Sequence, residues 1–242
     1  MKMRKWLAAG AAAFLVTMGS AVTQADSMTL ADGAVLDMGA SVSVYPGEKS
    51  FFGSQMHDWL MKPDAADAVE QALKGADILP ENSKDSKDIS EMAVDILRSG
   101  KVYQVRAAAD DTYYQGMVLS LALSDGDMMK LALYESSITS GKNAKEEGKQ
   151  DVLVETLNAL QGAVKVDSHS SWESRSSNKG VAYKTGDARI SITRNGFMIP
   201  LYVKGIITRG DGKTVYTVFA ADQASGNYFN PIFNQALKEA KK

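Results

Sequence analysis

Apolar and polar positions alternate almost without fault from Val164 to Ser176. Even positions read Val164, Val166, Ser168, Ser170, Trp172, Ser174 and Ser176; odd positions read Lys165, Asp167, His169, Ser171, Glu173 and Arg175. Successive side chains of a strand point to opposite faces, so this period of two predicts a strand with its charges on one face and Trp172 on the other. A strand also holds His169 and Glu173 roughly 13 Å apart at about 3.3 Å per residue, too far to share a proton. The run reads as a solvated strand face near a sheet edge. It is not a catalytic dyad.

Strand-like patterning recurs on both sides of this stretch. After Gly100, "KVYQVRAAA", "YYQGMVLSLALS" and "MMKLALYES" are apolar runs separated by Asp-Asp and Asp-Gly pairs, which predicts a three-stranded antiparallel meander. "DARISITRN", "FMIPLYVKGIITR" and "KTVYTVFAA" predict a second meander. Residues 26–55 read as irregular chain with short strands, including an alternating patch at Val42 and Val44. Helical periodicity appears over 63–79, where Ala65, Ala68, Val69, Ala72, Leu73 and Ala76 share a stripe, and over 89–100. Charged "NSKDSKD" links these two. A third helix is expected over 143–163 and a fourth from "PIFNQALKEAKK".

Meander and helix thus occur twice. An offset of 86 residues places Gly100 on Gly186 and the expected hairpin turn Asp125-Gly126 on Asp211-Gly212. The fold class this predicts is α+β: a mostly antiparallel sheet of about 6–7 strands packed against helices, with a possible internal repeat of 100–163 in 186–242. One wide sheet and two small sheets fit the repeat equally well.

The N-terminus adds a destination. Lys2, Arg4 and Lys5 precede the uncharged apolar run 6–18, and Thr23 and Ala25 supply small residues before Asp26. This is the pattern of a secretory signal peptide, expected to be cleaved after Ala25 and too short for the roughly 20 apolar residues of a membrane span. The single expected domain is then 26–242. There is no cysteine, which excludes disulfides, thiolate metal sites and a lipid-modified cysteine. Residues 1–25 carry three of the 27 Lys+Arg and none of the 29 Asp+Glu, so the mature chain has 24 against 29, a net −5. Mild acidity argues against a nucleic-acid partner.

Several familiar catalytic motifs are missing from the sequence. There is no HExxH, GxSxG, P-loop or GxGxxG, and in "SKDSK" (83–87) Lys87 stands four residues from Ser83 and next to Ser86, which is not the spacing of a serine–lysine mechanism. "RGDGK" (209–213) sits where a hairpin turn between two apolar strands is expected, and "SDGD" (124–127) lacks the further oxygen ligands of a calcium loop. Adjacent bulky pairs are the nearest thing to a functional signal. Phe51-Phe52, Tyr113-Tyr114 and Met128-Met129 must each face both ways on a strand, so one member of each pair is a candidate for an exposed ligand- or partner-binding patch.

Residues 199–240, "IPLYVKGIITRGDGKTVYTVFAADQASGNYFNPIFNQALKEA", form two long strands around a tight turn, a polar bend and a terminal helix. This end resembles the C-terminal part of PsbP-like and DcrB-like exported domains, where a glycine turn and a "tvfAAD"-type strand end lead into the last helix. The resemblance implies a single antiparallel sheet between helices and accessory or binding roles, with no family catalytic residues to carry over.

The expected function is an exported, periplasmic or secreted, non-enzymatic accessory or binding protein of the bacterial cell envelope. It would act through an apolar surface or pocket between sheet and helices, toward another envelope protein or a small apolar ligand. No cofactor, metal or membrane span after signal cleavage is expected. The alternatives are a structural envelope protein, or an exported hydrolase whose carboxylates among Asp58, Glu135, Asp187 and Asp222 converge to about 5–9 Å.

Overall fold

The computed structural model describes residues 26–47, 57–75, 86–127, 129, 164–194, 197–210 and 212–242. Short strands β1 (Ser27–Thr29), β2 (Val35–Asp37) and β3 (Val42–Pro46) come first, then helices α1 (Ala65–Gly75) and α2 (Ser86–Ser99). Strands β4 (Lys101–Ala109) and β5 (Thr112–Ser124) follow. The C-terminal part holds β6 (Val164–His169), β7 (Glu173–Ser176), β8 (Ala182–Arg194), β9 (Phe197–Gly210), β10 (Lys213–Asp222) and helix α3 (Gln223–Lys238). The class is α+β.

Eight strands form one antiparallel sheet in the order β3-β4-β5-β10-β9-β8-β6, with β7 also paired to β8; β1 and β2 make a separate hairpin. The two halves of the chain meet where β10 pairs with β5, from Lys213 opposite Ser124 to Ala221 opposite Gly116. One wide sheet is therefore what forms, with more strands than the expected six or seven. The extra ones come from β3, which joins at the β4 edge, and from the split of the 164–176 run.

That split has a physical cause. The ladder between β6 and β8 shifts register between Val166 and Ser168, so the alternation is interrupted by a bulge at Asp167. Pairing then lapses between His169 and Glu173, and the indole of Trp172 lies over Gly186 and Gly205, which are cross-strand partners in β8 and β9. A Cβ on Gly205 would stand 2.5 Å from Trp172 Cη2. The indole thus fills the space that two missing side chains leave on that face, beside the small cluster of Ala188, Ile190 and Val203.

The opposite face carries the main core. Phe219 of β10 is fully buried, with ring centroids of Phe233 and Phe229 at 4.7 and 5.6 Å. Helix α3 supplies those two rings, and the β1–β2 hairpin adds Met28, Leu30 and Leu36. Asp222 starts α3 directly after β10: its Oδ1 accepts the Ser225 N–H at 2.9 Å. The helix therefore begins at Gln223, eight residues before the expected Pro231. Pro231 is tolerated inside it because Asn227, whose carbonyl loses its intrahelical donor, lies on the exposed side. Helix α2 likewise begins before the expected 89. Buried Ser86 donates to Glu70 Oε1 at 2.5 Å and Ser90 donates to the Ser86 carbonyl, so the charged linker residues become its first turn.

At the two glycine positions, the 86-residue offset pairs residues in different local structures. Gly100 follows the end of α2, whereas Gly186 lies in the middle of β8. Residues 125–127 form a helical turn in which Asp127 Oδ2 accepts from Ser124, whereas Gly212, with φ +68°, turns the β9–β10 hairpin. The expected strand "MMKLALYES", apart from exposed helical Met129, and the expected helix 143–163 lie outside the described residues.

Gly226 is where α3 presses closest on the sheet: a Cβ there would stand 2.3 Å from Tyr202 Cβ and Cγ. Gly226→Ala is expected to destabilise the protein by about 1–3 kcal/mol through overpacking. Urea denaturation measures this; an unchanged midpoint would show that α3 can slide away from β9 at no cost.

Candidate functional site: a cleft between the helices and the β3–β4 edge

Helices α1 and α2 pair through their own small core of Leu60, Ala65, Val69 and Val94, with Trp59 and Leu97 packed against it. Ahead of α1, residues 57–60 form a helical turn in which the Met61 N–H donates to the His57 carbonyl. Arg98, in the last turn of α2, ties this turn down: its Nε donates to the Leu60 carbonyl at 3.0 Å. Two residues after α2 ends, β4 begins, and its first side chains are anchored to the β1 region. Lys101 Nζ donates to the Leu30 carbonyl at 3.1 Å, and the Tyr103 hydroxyl donates to the Thr29 carbonyl at 2.8 Å.

Between these anchors lies an open cleft of about 340 Å³. Pro46, Leu60, Met61, Leu97 and Val102 give it apolar walls, and His57, Arg98, Lys101 and Tyr103 give it polar groups. Met61 is 60% exposed, unusual for so apolar a side chain, and forms part of the lining. A cleft of this size with a few polar groups among apolar walls suits a small, mostly apolar ligand.

The bulky pairs singled out in the sequence are elsewhere. Tyr113 is 82% exposed at the β4–β5 hairpin, whose turn is made by Asp110 and Asp111, both with positive φ. Tyr114 faces the other way and stacks on Tyr228 of α3, centroids 4.1 Å apart and rings nearly parallel. Met129 is exposed, but it lies past the far end of β5 from Tyr113, so the two do not share a patch. Phe51, Phe52 and Met128 lie outside the described residues.

Sequence reading missed Phe197, which is exposed with Met198 at the start of β9. Strand β10 ends at Asp222, opposite Leu201, while β5 and β9 both run on past it toward their hairpins. Tyr113, Phe197 and Met198 therefore stand at one end of the sheet. Only the strand register reveals this, since they are over eighty residues apart in sequence.

Nor do the described carboxylates converge. Asp58 is exposed beside His57, with Nδ1 and Oδ1 3.9 Å apart. Asp187 accepts from Ser170 Oγ at 3.2 Å on β8, and Asp222 caps α3 at the end of β10. Those two are separated by β9 and by three residues along it, roughly 14 Å between backbones. Glu135 lies outside the described residues. His169 Nδ1 contacts the Ser170 carbonyl oxygen, and Glu173 pairs with Arg175. His169 and Glu173 sit on separate strands, as the extended reading requires.

Among the described residues, one charged group lies deep in the main core face. Lys204 of β9 is 2% exposed, and its Nζ donates to Asn230 Oδ1 and Asn234 Oδ1 of α3, each at 2.9 Å. Burial holds its ammonium below the usual lysine range; Asp187 and Glu173 oppose that shift and Arg175 adds to it. On the same face, burial and Asp187 push the Tyr202 phenol upward, with Arg189 opposing. These groups serve the docking of α3.

No protein-family model matches this chain, and no curated protein does. Among solved structures, a crystal structure of a protein of unknown function from Pseudomonas aeruginosa is similar over 57% of this chain and 79% of its own, at 12% identity and a TM-score of 0.34.

The Lys204 site sets a pH dependence with a definite sign. The folded protein holds this proton more weakly than the unfolded chain, so the contribution to stability is lowest where both states are charged. It rises with pH from the depressed folded pKa to the ordinary lysine value. Lys204→Met is expected to be neutral or to stabilise by about 1 kcal/mol at pH 7, since Asn230 and Asn234 can reach water, and to lose that alkaline rise. Urea denaturation of both proteins at pH 7, 9 and 10 checks it. Parallel pH profiles would mean that Lys204 titrates normally.

Proposed function

We propose that this is an exported, non-enzymatic binding protein of a bacterial cell envelope that holds a small, largely apolar molecule in the cleft between α2 and the β3–β4 edge. The observation that carries the reading is the cleft itself, with five apolar lining residues and exposed Met61 among them. The signal-peptide pattern of residues 1–25 supports export.

Native mass spectrometry of the protein purified from its own host is the test. The expected result is a chain beginning at Asp26 with a bound mass, and loss of that mass in Met61→Trp, which narrows the cleft from an exposed position. A bare chain from its native compartment would overturn the ligand reading.

Exposed Tyr113, Phe197 and Met198 at one end of the sheet favour a second reading, a contact with another envelope protein. Tyr113→Ser with Phe197→Ser is expected to leave folding stability within about 0.5 kcal/mol and to abolish cross-linking to that partner in cells. Cross-links that survive the double variant would remove this end of the sheet from consideration.

A further inference from the structure

The charged side chains that line the cleft among the described residues, Arg98 and Lys101, are both cationic. His57 lines it beside them, from the turn ahead of α1, and no described aspartate or glutamate does. The neighbouring carboxylates Asp58 and Asp95, beside His57 and Arg98, are both largely solvent-exposed. Two of the three nitrogen groups are held in place with donors to spare. Arg98 spends Nε on the Leu60 carbonyl and Nη1 on Asp95, which leaves Nη2. Lys101 spends one of its three N–H groups on the Leu30 carbonyl.

Cations at the end of a helix also offset its unpaired carbonyls, and that accounts for Arg98 in the last turn of α2. It does not account for His57, which approaches from the 57–60 turn, or for the hydrocarbon wall of Leu60, Met61, Leu97 and Val102 beside these charges. A site with one apolar wall and one cationic wall matches a molecule built the same way.

We infer that the cleft takes a single-chain anionic amphiphile, a carboxylate with a medium-length hydrocarbon tail. The head sits among His57, Arg98 and Lys101, and the tail lies along Leu60, Leu97 and Val102. A volume of about 340 Å³ suits one such chain. This rests on the ligand-binding reading above and sharpens it, since apolar burial alone would favour a neutral molecule equally.

The test is titration calorimetry of the purified exported protein with three probes: sodium decanoate, decanol and inorganic phosphate. Decanoate is expected to bind at least tenfold more tightly than decanol, and phosphate alone not to bind measurably. Lys101→Met and His57→Gln are each expected to reduce decanoate affinity several-fold and to leave decanol unchanged. The His57 side chain is exposed, so that variant tests the imidazole without risk to folding. Equal binding of decanoate and decanol would overturn the anionic class while leaving the apolar-ligand reading intact. Phosphate binding as tight as decanoate would overturn the amphiphile, and a decanoate preference indifferent to both substitutions would place the head elsewhere. Absence of binding by decanoate and decanol alike would bring down both readings.

Discussion

The ladder between β5 and β10 is the constraint on which the rest of the structure depends. It joins an N-terminal hairpin to a C-terminal meander across about a hundred residues of sequence, and it puts Phe219 opposite Val118 at the centre of the core face. Ser120 and Thr217, opposite each other and buried, share a hydrogen bond at 2.9 Å between their hydroxyls, so neither polar group is left unpaired inside the sheet. Gly116 completes the fit. A Cβ there would stand 2.2 Å from Phe219 Cε2, so any larger residue would push out the ring on which Phe229 and Phe233 pack.

From that centre the C-terminal end is tied in by hydrogen bonds to its backbone. The Asn178 N–H donates to the Lys238 carbonyl, and Ser177 Oγ donates to the Ala240 carbonyl, so the β7–β8 turn clasps the end of α3. Lys241 bridges to Val35 of β2. The β1–β2 hairpin is thereby fixed over the core face, and it supplies the Leu30 and Thr29 carbonyls that anchor Lys101 and Tyr103. The cleft is thus a consequence of how the sheet edge, α2 and this hairpin meet. It is not a feature of any one segment.

Much of the strand content was legible because the period of two is a local property. Strand β4 runs over the expected residues, β5 starts one residue early, and β9 and β10 each extend the expected run by one. Misreadings arose where a local signal had a tertiary counterweight. Pro231 looked like a helix start, but Asp222 and Ser225 cap the helix a full two turns earlier. The near-regular alternation of 164–176 concealed a bulge, since nothing in the pattern shows that Trp172 must leave the ladder to lie over a glycine pair on two other strands.

By itself the sequence determined the α+β class, the antiparallel strands and the separation of His169 from Glu173, because side-chain period and turn chemistry act over a few residues. Only the tertiary structure decided that the strands make one sheet, that Tyr113, Phe197 and Met198 stand at one end of it, and that His57, Arg98 and Lys101 share a cleft. Those outcomes depend on which strands pair and how helices cross the sheet edge. Contacts between residues forty or more positions apart leave no periodic trace in the chain.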